Sequence, residues 1–214
     1  MLLRLAQLSK NQREVAEAVR IVPLKKRVSM IAGADVARNG KYLFGSMAVL
    51  SFPELLLLDE SHAEQREPIP YVPGFLSYRE LPVLAKAFSR LKKKPDLILV
   101  DGQGIAHPRR LGLASHLGVV LGVPTIGCAK SHLYGDYEMP EDARGSYTFL
   151  KSKNNRIGLV LRTRNNVKPL FISPGHLIDL DGCLCILLSV TPRYRIPEPI
   201  RQAHRMAGSR ARSA

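Results

Sequence analysis

Three carboxylates in this chain sit where a fold can put them to work. Asp35 lies near the end of the apolar run 28–36, Asp101 closes the run Asp96-Leu97-Ile98-Leu99-Val100-Asp101, and Glu80 follows Tyr78-Arg79. If the two runs are neighbouring strands, Asp35 and Asp101 meet at one edge of a sheet, and Glu80 can join them from a helix. Acids from three separate segments make a hard-oxygen site suited to Mg²⁺ or Mn²⁺. Zinc fits poorly, because no Cys/His cluster has a zinc-like spacing. In phosphodiester hydrolysis such ions activate a water and stabilise charge on the attacking and leaving oxygens, a pair of them standing about 3.5–4 Å apart. Spacing alone leaves a second reading open, in which Asp101 only accepts hydrogen bonds from the amides of the glycine loop after it.

The elements that must position these acids can be read along the chain. Ser9-Lys10-Asn11-Gln12 reads as a capping box opening an amphipathic helix that ends before Pro23. The run 28–36 is a strand, and Asn39-Gly40 is a hairpin turn into a second strand over 42–52. Residues 55–61 supply a third strand. The loop Pro68-Ile69-Pro70-Tyr71-Val72-Pro73-Gly74 has a restricted backbone. A helix over 75–91, bent near Pro82, follows it. The run ending at Asp101 is apolar throughout, as in a strand buried on both faces. Its C-terminal end is where an open α/β sheet presents chemistry. Gly102-Gln103-Gly104 leads to a helix over 111–121 and a strand over 124–129 that delivers Lys130. An acidic, irregular stretch over 135–145 precedes strands at 156–162 and 169–173, a helix around 177–190 and a final helix from Pro197. Three antiparallel strands, then parallel strands alternating with helices, make a mixed α/β sheet flanked by helices. Residues 1–207 read as one domain and 208–214 as a disordered tail.

Charge points to the partner. Lys and Arg total 32 against 18 Asp and Glu, a net charge of +14 and a pI near 10.0. Such an excess favours polyanions, chiefly nucleic acid, through phosphate contacts and counterion release. It gathers in Lys25-Lys26-Arg27, Lys92-Lys93-Lys94, Arg109-Arg110 and a tail with Arg201, Arg205, Arg210 and Arg212. The lysine run after a helix is equally explained by the helix C-terminal dipole. Cys128, Cys183 and Cys185 form neither a CxxC pair nor a disulfide framework, which fits a reducing compartment. No signal-peptide pattern opens the chain and no stretch approaches the about 18 apolar residues of a membrane span. A cytoplasmic protein, a monomer with no membrane partner, is expected.

Five ordered blocks carry a resemblance. They are Ile31-Ala32-Gly33-Ala34-Asp35-Val36, the stretch from Pro70 to Glu80, the stretch from Val100 to Gly112, Pro124-Thr125-Ile126-Gly127-Cys128-Ala129-Lys130, and Ile196-Pro197-Glu198-Pro199. Together, from Gln7 to His204, they resemble endonuclease V, the deoxyinosine-directed repair nucleases. The resemblance implies an RNase H-like fold and Mg²⁺-dependent hydrolysis of the second phosphodiester bond 3′ to a deaminated adenine in double- or single-stranded DNA. Some relatives prefer inosine in RNA, and a non-catalytic nucleic-acid-binding protein on the same scaffold is the alternative from another class. By the resemblance Asp35, Glu80 and Asp101 are metal ligands, His204 is a further metal-shell position, and Lys130 is the catalytic lysine. Tyr71, stiffened by Pro70 and Pro73, matches a wedge that enters the duplex where the base leaves the stack. Arg79 orients Glu80 or touches a phosphate. Gly102, Gly104, Gly127 and the amides of Ile105 and Ala106 let backbone approach the flipped base, and His107 contacts a phosphate or the scissile region.

Some residues stay outside that scheme. Gln103 stands where many relatives have histidine, and Cys128 replaces a usual valine as a packing residue. His116 reads as structural, whereas His176 either caps a helix or touches DNA. Arg109 and Arg110 either bind phosphate or face water.

Overall fold

The computed structural model describes residues 2–214, with side chains from residue 5 onward. Helix α1 (Leu2–Ala16) precedes a meander of β1 (Met30–Asn39), β2 (Tyr42–Ser51) and β3 (Leu57–Arg66). Then come α2 (Leu76–Arg90), β4 (Leu97–Val100), α3 (Leu113–Leu121) and β5 (Thr125–Ala129). The chain closes with β6 (Tyr147–Ser152), β7 (Asn155–Leu161), β8 (Leu170–His176), α4 (Leu180–Ser189) and α5 (Glu198–Ser213). One eight-stranded sheet runs in the order β3-β2-β1-β4-β5-β8-β7-β6. The mixed α/β sheet expected from the sequence is borne out, with its parallel part confined to β1, β4 and β5. Strand β8 turns antiparallel to β5, and β6–β8 form a second meander.

Alternation along the strands builds two layers. On one face Ile31, Ala48, Leu99 and Ile126 pack against Ile186 of α4 and Ala203 of α5. On the other Ala32, Met47, Val49 and Ile98 meet Val83 and Leu84 of α2 and Leu117 of α3. β4 is buried at all four positions because helices cover both of its faces. Each fully buried Leu or Ile there contributes about 1.5–3 kcal/mol.

One close approach matters for the site. A Cβ on Gly33 would collide with the Pro199 carbonyl, so the glycine lets α5 settle directly on β1. From Pro199 the helix climbs five residues to His204, about 7.5 Å. From Gly33 the strand climbs two residues to Asp35, about 6.6 Å. The two side chains therefore arrive at the same level.

Several expectations are corrected. Helix α1 already contains Ser9, so the proposed cap lies inside the helix. Gln12 is instead fully buried, and its amide nitrogen donates to Gly74 O at 3.1 Å. Strand β6 was not anticipated, since a half-exposed edge strand carries little hydrophobic signal. Helix α4 begins at Leu180, capped by the Asp179 carboxylate, which accepts from Gly182 N at 2.9 Å. His176 thus ends β8; it is buried and its Nδ1 accepts from Arg20 N at 3.2 Å, which excludes both roles foreseen for it. The tail expected to be disordered continues α5 to Ser213, with Ala211 buried and its carbonyl accepting from the Asn39 side chain at 3.0 Å. No described helix is long and apolar enough to cross a membrane.

Candidate metal centre and base cavity

Parallel pairing of β1 with β4 sets Ala34 opposite Val100, so the next residues, Asp35 and Asp101, leave the sheet side by side. His204 Nδ1 lies 2.6 Å from Asp35 Oδ2. Among the described residues Asp35, Asp101 and His204 form the one group of three metal-type ligands whose donor atoms lie within 4.8 Å of one another. Lys130, at the end of β5, pairs with the Asp101 carboxylate. Glu80 comes from the first turns of α2 on the other side of the sheet and stands outside that tight group, close enough for its charge to be felt.

The electrostatics show crowded negative charge. Burial, then Asp101, hold the Asp35 carboxyl above its usual range, although His204 partly offsets them. Glu80 is pushed up to about 8, first by burial and then by Asp35, Asp101 and Glu67, against the Arg79 guanidinium. Burial lowers Lys130, but the hydrogen bond to Asp101 and the charges of Asp101 and Asp35 outweigh it and raise its pKa. Two aspartates and an imidazole, with a third carboxyl nearby, suit a divalent ion, whose charge relieves the repulsion.

Arg79 belongs to an ion-pair chain. Its Nε lies 2.6 Å from Glu67 Oε1, and Arg38 approaches the same carboxylate at 3.3 Å. Its other end reaches Glu80 at 3.8 Å and lies 5.8 Å from the Tyr71 ring centre. Arg79 is thus buried between Glu67 and Glu80, with the shorter contact to Glu67.

Beside the acids opens a cavity of ≈ 360 Å³. Asp101, Lys130, Gly102, Gln103 and Tyr71 line it, and Tyr71 is 60% exposed at its rim, on the loop with Pro70 and Pro73. Three side chains hold that loop at Gly74. Gln12, His107 and Arg109 all direct nitrogens to Gly74 O, at 3.1, 3.0 and 2.7 Å. Arg109 also donates to Gln12 Oε1 and stacks 4.4 Å over Phe75, so much of its guanidinium is engaged inside the fold although the residue stays partly exposed. Both nitrogens of His107 are occupied, the second by Arg109 N at 3.1 Å, and burial pushes its pKa down to about 4. His107 therefore braces the loop through both of its ring nitrogens. Gln12 was missed by sequence reading; its one signal is an amide on the packed side of an amphipathic helix.

The glycine loop differs from expectation as well. Gly104 N donates to Ser173 Oγ and Ile105 N to Pro174 O, both at 2.8 Å, so these amides are spent inside the fold. A Cβ on Gly104 would clash with Pro174 O, and one on Gly127 with Gly104 N. Those glycines bring three backbone segments together under the cavity, while Gly102 lines it. Gln103 Nε2 donates to Ser131 O at 3.1 Å; its buried Oε1 has no partner among the described residues. His116 is structural as expected, buried with Nδ1 3.2 Å from Ser77 Oγ. The lysine run completes the end of α2, Lys94 Nζ donating to Phe88 O at 2.7 Å.

A family model described as endonuclease V matches residues 13–205. The chain is similar to the endonuclease V of Geotalea uraniireducens, 47% identical over 203 residues that cover 95% of this chain and 87% of that one. Its fold matches the crystal structure of endonuclease V from Streptomyces avermitilis with a TM-score of 0.92, at 38% identity over 97% of this chain and 93% of that one. A Ciona intestinalis endonuclease V, solved with a 23mer DNA containing an inosine followed by a ribo-adenosine, matches with a TM-score of 0.89. That pair is 27% identical and the match covers 100% of this chain and 99% of the other.

Proposed function

The chain belongs to the endonuclease V family, nucleases that hydrolyse phosphodiester bonds, and on that premise we propose that it nicks DNA at deoxyinosine. The bond cut is the second phosphodiester 3′ to the lesion. The observation that carries the reading is the meeting of Asp35, Asp101 and His204, the second of which lines a cavity together with Lys130.

Asp35, Asp101 and His204 would hold Mg²⁺, with Glu80 as a further carboxylate and Mn²⁺ able to substitute. When bound, the ion supplies an activated water and offsets charge on the reacting phosphate. Lys130 brings its ammonium to the same point, where it stabilises the extra charge of the transition state. As the water oxygen bonds to phosphorus, the bond to the leaving sugar oxygen breaks and that oxygen takes a proton. Tyr71 fills the gap left in the duplex, and flipping costs least at a mispaired base such as hypoxanthine. Gly102 lets the base edge approach backbone, while Gly104, Ile105 and Gly127 form the tightly packed floor beneath it. We read the protein as acting as a monomer, and free thiols at Cys128, Cys183 and Cys185 support a cytoplasmic setting.

A labelled duplex with one deoxyinosine, incubated with Mg²⁺ or EDTA and mapped at nucleotide resolution, tests the proposal. One nick two bonds 3′ to the lesion, with Mg²⁺ only, is expected. A nick in EDTA, or none near the lesion with any divalent ion, would sink it. The same lesion in RNA decides between deoxyribose and ribose substrates.

A further inference from the structure

Beyond Lys130 the cavity wall continues into a loop that the catalytic residues do not use. His132 lines the cavity, and its ring packs against Tyr137 and Phe171 with centroids 5.3 and 5.5 Å apart. Tyr137 in turn meets Phe171 edge-on at 5.2 Å. Phe171 is buried in β8, whereas His132 and Tyr137 are exposed. A contact of 2.7 Å between His132 Nε2 and Gly135 O holds the imidazole in place. Two aromatic rings are thus fixed at the rim of the cavity instead of being drawn into the core.

The aromatic surface does not stop there. Tyr137, Tyr147 and Phe149 line a groove of ≈ 420 Å³ between this loop and β6. Tyr137 is 36% and Tyr147 41% exposed. Singly exposed apolar residues need no explanation, but a row of rings continuous with a cavity does. Asp136, Glu138 and Lys151 share the groove, so it offers little net attraction to phosphate. What it offers is exposed aromatic rings, with His132 and Tyr137 inclined at 50° to each other so that each presents its own face. Nucleobases stack on aromatic side chains with little sequence preference, and a base still in a duplex has both faces covered.

We propose that His132 and Tyr137 form a stacking platform for an unpaired base of the substrate strand, next to the nucleotide that enters the cavity. The inference rests on the reading that a nucleotide does enter beside Asp101 and Lys130. It gives the protein a grip on single-stranded or locally opened nucleic acid that its basic surface alone does not supply. Because stacking displaces few counterions, this grip is nearly independent of salt, unlike phosphate contacts.

The test uses the whole protein in EDTA, with a single strand and a duplex that each carry one deoxyinosine. 2-Aminopurine at successive flanking positions reports stacking, and anisotropy reports affinity. Wild-type protein should quench 2-aminopurine at one flanking position. His132→Ala and Tyr137→Leu should each weaken single-strand binding roughly 5- to 150-fold. The slope of log K against log salt should not change, and Tyr137→Phe should keep both signals. Leucine preserves apolar packing on Phe171, so its effect isolates the ring; should its melting point fall, quenching and Tyr137→Phe decide. Absence of quenching at every flanking position in a protein that binds, wild-type affinity in Tyr137→Leu, or an altered salt slope overturns the platform. Equal binding of deoxyinosine and deoxyadenosine strands by wild type would instead undermine the reading of the cavity.

Discussion

The backbone N–H of Asp101 donates to Ala34 O at 3.1 Å, one residue short of Asp35. That single bond continues the parallel ladder past its last paired residues and sets the two carboxylates abreast where the strands part. Neither acid can move away without breaking the ladder, so their repulsion is built in until a cation or a proton relieves it. Lys130, one strand further along, neutralises Asp101 in the meantime.

Asp101→Asn should abolish nicking, by at least about 100-fold, while the lesion duplex is still bound. The amide keeps the shape of the carboxylate and removes its charge, so Lys130 loses its ionic partner. Nick mapping beside a binding titration checks this. Loss of cooperative unfolding in the variant would assign Asp101 a structural part instead.

Glu80 sets a pH dependence in metal-free protein. Its folded pKa, about 8, lies above the ordinary 4.5, first through burial and then through neighbouring charge. Its contribution to stability is therefore full below pH 4.5 and lost as pH rises through about 8. In EDTA the melting temperature should decline across that window, and Glu80→Gln should flatten the decline. Divalent ion at 100 times its Kd should restore about 2.7 kcal/mol in wild type, with less gained by the glutamine variant.

Acid acts through two histidines. His107 and His116 have folded pKa values near 4, below the ordinary 6.5; burial is the first cause for both, and Arg109 adds to it at His107. Stability from keeping them neutral is full above pH 6.5 and lost as pH falls toward 4. Melting should drop over that interval, and His116→Leu should remove part of the drop. A variant as acid-sensitive as wild type would refute the assignment.

Gly104→Ala should destabilise the fold by roughly 1–3 kcal/mol or prevent it, because the new methyl meets Pro174 O. Denaturant unfolding measures it. An unchanged midpoint would mean the loop relaxes freely and is not the packed floor described above.

Tyr71→Ala should leave stability within about 0.5 kcal/mol of wild type, since the ring is exposed. Discrimination between deoxyinosine and deoxyadenosine duplexes should fall about tenfold, and Tyr71→Phe should retain it. Competition binding with the two duplexes reads the difference.

Much of this was legible in the chain because it is local. The apolar run before Asp101, the Asn39-Gly40 turn and the proline loop around Tyr71 follow from nearest-neighbour backbone preferences and side-chain periodicity. The ordered blocks named the acids and Lys130 through resemblance. What lay beyond reach involves residues far apart in sequence. Gln12 and Arg109 reach Gly74 from separations of 62 and 35 residues, and no local pattern announces that. Edge strand β6 and the helical end of α5 were misjudged because both take their stability from neighbours: β7 pairs with the one, while β1 and β2 pack against the other.

By itself, then, the sequence determined which groups can do chemistry: hard carboxylates, one lysine, an excess of positive charge. Only the tertiary structure decided which of them meet. The β1–β4 pairing brings Asp35 to Asp101, and the Gly33–Pro199 contact brings His204 down onto Asp35. The same packing engages His107, Arg109, Gly104 and Ile105 as supports. A buried donor must spend its hydrogen bond on the nearest acceptor, and only the folded chain says which acceptor is near.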